Sequence, residues 1–497
     1  MEKKLEKLKP NNADTEITSH EEDSKNALLY NLPKTQNENN SDIKDVIINA
    51  LPATMGLLFI FIAETINIIF IGRLNNPELI SAIGIGTLYV NVTGYVIGLG
   101  LIGGIDTLCS QSYGAKQYKL MGIYVNIGRI VTVGFFILMS IPCIVFAENL
   151  LLYIGQTEEI ASLASDFCYS MIPSIFFALQ YNCSLRYLQA MQIFHPGMII
   201  TLITAFIHSF WCYIFIFYFQ YGIIGAGIAI GVTQFLNFLF VTIYIHIVNP
   251  NSESSSYFPK ESFDFGMIIS FLKLAVPSTI LFAADWIGFE ILTFMSSYLG
   301  NISLAANVCL FNFISLIFMI PLGISFAVTS LVGNSIGSGN IEKAKKYAII
   351  AILTGMTIVG VLTVFVIVFK SSIPHVYTSD ENVIEIVIQL LNIYICFSIL
   401  DSIQIVEHGI LKGLGKQKIS SIICLIILYP INIPMAYTFG FHYGLGIIGL
   451  WYSQLITVVL LATSYFLILM TCNWEQISKD CILKFEKEKR KLDSKFK

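Results

Sequence analysis

The chain has 497 residues, of which 55% are hydrophobic and only 12% charged, and its mean hydropathy is +0.72; a soluble chain of this length divides into domains carrying far more charge. A net charge of −4, with no basic face interleaved with aromatics outside the C-terminal tail, argues against nucleic acid as a partner. Ten cysteines, scattered without a C-x-x-C pair and mostly inside apolar runs, read as small core residues, which leaves no metal-binding or disulfide framework.

Residues 1–45 are polar, rich in Asn, Glu and Lys, and lack the apolar core of a signal peptide, so a disordered tail is expected there. Apolar runs long enough to span a bilayer then recur to the end of the chain. Six are expected at 47–72, 79–104, 121–147, 160–189, 197–219 and 222–247. After a polar break, six more follow at 268–299, 302–332, 344–370, 382–411, 418–439 and 445–471. Spanning chains satisfy their backbone groups inside helices, so the fold class is an all-α polytopic membrane protein of about twelve transmembrane helices. The expected partition is a first six-helix bundle at 46–248, a linker at 249–267, a second bundle at 268–472 and a basic tail at 473–497.

Lysines and arginines set the orientation. Lys116, Lys119, Arg186, Lys260, Lys343, Lys345, Lys346, Lys412, Lys416 and Lys418 fall on one side, and little beyond Arg73 and Lys370 on the other. Both termini are therefore expected in the cytoplasm, with the tail a positive-inside anchor rather than a specific lipid site.

The two halves read as copies. Pro52 and Pro277 stand 225 residues apart in the first and seventh helices. Thr107-Leu108, Ser112 and Gly114 match Ser330-Leu331, Ser335 and Gly337 at an offset of 223. Tyr187-Leu188-Gln189-Ala190 meets Ile410-Leu411-Lys412-Gly413 at the same offset. Six helices per copy make the repeats parallel, related by a pseudo-two-fold along the membrane normal, an arrangement that fits alternating access about a midplane site.

Candidate site residues stand out as polar groups in apolar helices. Asp285 and Glu290 are the only charges between Leu274 and Leu299. A carboxylate at that depth costs about 2.5 to 3.5 kcal/mol on insertion scales, so such groups face a cavity or partner and mark an ion or substrate path. Their i,i+5 spacing separates them by about 140° on a wheel, whereas Trp286 and Glu290 share a face. Asp401 lies mid-way along the tenth helix, with Gln404 and His408 on the same stripe. Glu407 and His408 sit nearer the cytoplasmic end, where a helix-end or gate role fits better than coupling. Glu64 is the only charge in the first helix, and Asn67 follows one turn later; Asn91 is a candidate polar wall residue of the second. Structural and functional readings of these three stay open. Gly98 to Gly103 formally satisfy G-x-G-x-x-G, but no strand precedes them and helix packing explains them better. No Walker sequence supplies an ATP engine.

The segments GLGLIGGIDTLCSQSYGAKQYKLMG at 98–122, DWIGFE at 285–290, PLGISFAVTSLVGNSIGSGN at 321–340 and GILKGLGKQK at 409–418 resemble the multidrug and toxic compound extrusion (MATE) family, eukaryotic type. The resemblance spans about 46–475. It implies a secondary antiporter exporting organic solutes against H+ or Na+ through a V-shaped pair of bundles, monomeric and without a cofactor, in the plasma membrane or an endomembrane such as a vacuole. It places Asp285, Glu290 and Asp401 at the ion or proton site, with Asp285 standing where relatives usually show Glu. Bacterial relatives often carry an acid at the position of Asn67, so Glu64 is displaced by a turn. Glu64, Asn67, Asn91, Trp286 and Gln404 are assigned to the solute cavity. Asp106, with Gly114, Gly337 and Gly413, belongs to motifs that point to packing and gating. The rival readings are a lipid-linked flippase of the wider superfamily and, from a different class, an intramembrane hydrolase built on Asp401 and Glu407-His408, which lacks a matched ligand or nucleophile set.

Overall fold

The computed structural model describes residues 36–74, 77–254 and 258–495. The first 35 residues of the expected disordered tail lie outside the described residues. From Gln36 onward the chain is helical, which corrects that expectation for 36–45. Once an apolar span has nucleated a helix, each added residue gains a hydrogen bond, so the helix extends back into the polar stretch.

Spanning helices follow in the expected order. They are α1 (Gln36–Gly72), α2 (Ser81–Gly114), α3 (Tyr118–Val145), α4 (Glu158–Ser170 and Ile172–Ala190), α5 (His195–Tyr218) and α6 (Gly222–Val248). After the linker come α7 (Phe265–Ser297), α8 (Asn301–Gly337), α9 (Ile341–Phe369), α10 (Glu381–Gly413), α11 (Gln417–His442) and α12 (Gly446–Thr471). A further helix, α13 (Trp474–Lys495), occupies the stretch expected as a basic tail.

Helices α2 and α8 run past their expected apolar ends, and the small polar residues there bond back to carbonyls of their own helix. Ser110 Oγ donates to Asp106 O at 2.6 Å, and Ser335 Oγ donates to Leu331 O at 2.8 Å. The equivalent α4 and α10 differ: α4 bends by 44° at Met171, whereas α10 is continuous. Pro173 accounts for the bend, since it lacks an N–H and its ring crowds the carbonyl of Tyr169.

The repeat is written into the packing between halves. Each half lays its second helix across the first helix of the other, so a methyl on Gly100 would lie 2.5 Å from Thr279 Cα, and one on Gly323 would lie 2.1 Å from Thr54 Oγ1. At the basic end the pairing is reciprocal. Thr107 Oγ1 donates to Lys412 O at 2.8 Å and Gln111 Nε2 to Gly413 O at 2.9 Å. In the other direction Ser330 Oγ donates to Gln189 O at 2.6 Å and Asn334 Nδ2 to Ala190 O at 3.1 Å. All four partners on each side are related by the same offset of 223. The acceptors are last-turn carbonyls: Gln189 O and Lys412 O also accept from the N–H groups of Gln192 and Gly415, at 2.9 and 3.0 Å, whereas Ala190 O and Gly413 O take their donors from the other half, so each half caps a helix end of the other. An apolar core continues beneath, joining Ile105 and Leu108 of α2, Phe271 and Ala275 of α7, and Leu331 and Ile336 of α8.

Contact at this end is backbone-close. A methyl on Gly114 would sit 2.0 Å from Asn334 O, and one on Gly337 would sit 2.0 Å from Gln111 O. We expect Gly114→Ala and Gly337→Ala each to lower the melting temperature in detergent, by an amount corresponding to about 1–3 kcal/mol of overpacking. Gly134→Ala, where nothing stands within 4 Å, should leave it unchanged or raise it slightly. Equal behaviour of the three would contradict the reciprocal contact.

Candidate translocation site

Helix α7 is set by its cap: Asp264 accepts from Met267 N at 3.1 Å, fixing where the helix starts. Thirty-three residues then carry Asp285 to a point about 9 Å beyond the Gly100–Thr279 crossing, six residues at 1.5 Å each. Cys424 of α11 donates its thiol to Asp285 Oδ1 at 3.3 Å. Asp401 of α10, eleven residues or about 16 Å before Lys412 at the basic end, lies within Coulombic reach of Asp285. Tyr394 flanks Asp401, and Tyr429 and Tyr465 flank Asp285. Both aspartates are half-buried. Two carboxyls within Coulombic reach of each other in a poorly solvated region repel when both are ionised.

Glu290 does not join this pair. It is half-buried and has no hydrogen bond or ion pair among the described residues. Trp286 is 39% exposed.

In the first half the candidates separate. Glu64 is exposed on α1, within reach of Tyr95, whose hydroxyl pairs with Ser174 Oγ at 2.6 Å. Asn67, expected on the cavity wall, is instead buried at 3% exposure, its Oδ1 facing the Cys212 thiol at 3.7 Å. Cys212 Sγ lies 3.3 Å from His208 Nε2, and His208 Nδ1 lies 2.8 Å from Thr233 Oγ1. Thr233 spends its proton on Ala229 O, so the ring donates at Nδ1 and presents a bare Nε2 to the thiol. Gln404, also expected on the cavity wall, is buried at 8% exposure. Asn91 opens a π-helical turn, Asn91–Val96, and is half-buried. A helical amide in mid-span finds its partner on the nearest helix, and spacing along one helix does not show which neighbour that is.

Asp106 has partners that sequence reasoning counted only as loop charges. Lys412 Nζ of α10 lies 2.5 Å from Asp106 Oδ2, and Arg186 Nε of α4 lies 3.4 Å from Oδ1. Arg186 also stacks over Phe326 of α8 at 3.7 Å. The available signal was positional, since Arg186 and Lys412 flank the repeated helix-end motif. Glu407 is fully buried, six residues before the end of α10 at Gly413, with neither carboxyl oxygen hydrogen-bonded among the described residues. His408, beside it, is half-buried.

Removing the acid from the triad leaves two mostly buried cations facing each other, a change worth about 3 kcal/mol. Asp106→Asn should therefore destabilise the folded protein strongly in detergent melts. Adding Lys412→Gln should recover part of the loss, giving a coupling energy above about 0.5 kcal/mol in a double-mutant cycle. Strict additivity would show that the pair is not an interaction.

The MatE family model matches residues 52–214 and again 277–438. Multidrug and toxin extrusion protein 1 of Oryctolagus cuniculus is 28% identical over 436 residues, covering 87% of this chain and 76% of that one. Protein DETOXIFICATION 16 of Arabidopsis thaliana is 32% identical over 432 residues, covering 86% of this chain and 87% of that one. The crystal structure of the eukaryotic MATE transporter AtDTX14 is similar with a TM-score of 0.83 and 23% identity, covering 90% of this chain and 99% of that chain. The chain belongs to the MatE family of multidrug and toxin extrusion transporters.

Proposed function

We propose that the protein is a secondary antiporter that exports organic cations of xenobiotic type in exchange for H+, by alternating access. The observation that carries this reading is the closure of one end by reciprocal helix-end caps, with the half-buried Asp285 lying beyond the seam, about 9 Å along α7 from the Gly100–Thr279 crossing. In this account the basic end is cytoplasmic by the positive-inside rule, both termini lie there, and the described state is the one closed toward the cytoplasm. Asp285 and Asp401 hold either a proton or the cationic solute. A proton entering from the acidic side displaces the solute, and the charge moved contributes about 2.3 kcal/mol per 100 mV. Aromatic side chains such as Trp286 add cation–π attraction for an organic cation. Na+ is the alternative ion. A lipid-linked flippase fits less well, because phosphate recognition needs cationic cavity residues and the mid-span charges here are acidic.

The test is efflux of a fluorescent organic cation from proteoliposomes under an imposed pH gradient or an imposed sodium gradient. Uphill export is expected with the pH gradient. Asp285→Asn and Asp401→Asn should each reduce it at least about tenfold, corresponding to 1.4 kcal/mol or more. The double variant should be no worse than either single one, because the two carboxyls act as one site. Glu290→Gln, standing apart, should add its effect independently. Uphill export that survives in the double variant would overturn the proposal.

A further inference from the structure

The reciprocal caps of the two halves differ in one respect. Gln111 and Asn334 are repeat equivalents, and each donates its amide N–H to the other half. Asn334 Oδ1 is buried with no partner among the described residues, whereas Gln111 Oε1 accepts from the Cys481 thiol at 3.4 Å. Cys481 belongs to α13, which has no α-helical counterpart among the described residues that follow the first half.

That helix is built to lie across the basic end. Ser478, Cys481, Phe485, Glu488 and Leu492 recur at helical spacing and are 2%, 8%, 1%, 9% and 7% exposed, while Lys479, Lys487, Lys489, Arg490 and Lys491 are exposed. The buried face touches both halves. In the second, Ser478 Oγ donates to Ile336 O at 2.7 Å. In the first, Tyr124 OH donates to the Glu488 carboxylate, and the Phe485 ring meets the Tyr124 ring edge-on at 6.4 Å between centroids. Burial pushes the Cys481 thiol up to about 12, so at neutral pH it stays S–H and can only donate to Gln111 Oε1.

We propose that α13 is a clasp on the cytoplasmic gate, with Cys481 as the positioning residue that turns the Gln111 amide toward Gly413 and thereby slows opening toward the cytoplasm. The inference rests on the alternating access proposed above. For the basic end to open, α2 and α8 must part, and α13 is held by both. Either its contacts to the first half or its contact to Ile336 must therefore break.

A reporter thiol tests this without requiring transport. Ser278 faces Gly103 across the seam between halves, is 5% exposed, and its hydroxyl has no hydrogen-bond partner among the described residues, so Ser278→Cys removes no hydrogen bond and serves as the parent against which every rate is compared. In the full chain reconstituted without solute or gradient, alkylation at this site by a membrane-impermeant maleimide, read by mass spectrometry, reports opening. Adding Cys481→Ala should raise its rate about fivefold, as expected for losing one hydrogen bond of about 1 kcal/mol. Cys481→Ser, which keeps a donor, should leave it near the parental rate, and Tyr124→Phe should raise it. In exchange assays Cys481→Ala should raise kcat with KM unchanged. An unchanged alkylation rate in Cys481→Ala, or an equal rise in Cys481→Ser, would overturn the clasp. A failure of cation exchange with the alkylation pattern intact would instead count against the antiport reading.

Discussion

One helix end in each half, that of α4 and that of α10, presents last-turn carbonyls to donors of the other half, and the rest of the structure depends on that exchange. In a bilayer no water serves them, and at the membrane surface either water or protein can. Here Gln189 and Ala190 are capped by Ser330 and Asn334, and Lys412 and Gly413 by Thr107 and Gln111. Because water at the surface can replace each donor at modest net cost, about 0.5–1.5 kcal/mol per bond, the closed end is separable without unfolding either half. Glycine at 114 and 337 allows the close approach that makes the caps reach.

Charge is distributed to suit the same arrangement. Asp106 lies at the seam with a cation from each half, Arg186 and Lys412, so one carboxylate offsets the repulsion of a pair that would otherwise push the halves apart. Deeper along the helices, Asp285 and Asp401 have each other and a thiol but no paired cation among the described residues. A compensated acid at the gate favours one stable geometry. An uncompensated pair deeper in favours whichever cation the accessible side supplies, and a ligand shifts the equilibrium between states only through its differential affinity for them.

Much of this was legible in the sequence. Apolar runs against bilayer thickness gave the spans to within a few residues, except that α1 begins at Gln36 rather than at 47 and that α2 and α8 stay helical beyond the apolar stretch, through Ser110 and Ser335. The offset of 223 was readable from landmarks, and those landmarks proved to be the residues that touch. What the sequence could not convey was direction. Asn67 and Gln404 read as cavity polars yet are buried, and Glu407 read as a helix-end charge yet is enclosed. Helical periodicity places a side chain on a face without saying what packs there. Lysine-rich composition concealed α13 for the same reason, since its six buried positions are too sparse to stand out among the charges.

The most direct test of the account joins the gate to the acids. Spin labels at Lys119 of α3 and Lys345 of α9, exposed positions at the basic end of opposite halves, report the separation of the halves in proteoliposomes by pulsed dipolar spectroscopy. The account predicts two distance populations whose ratio shifts with pH, and loss of that shift in Asp285→Asn/Asp401→Asn. A single distance at every pH, or a shift that persists in the double variant, would contradict it.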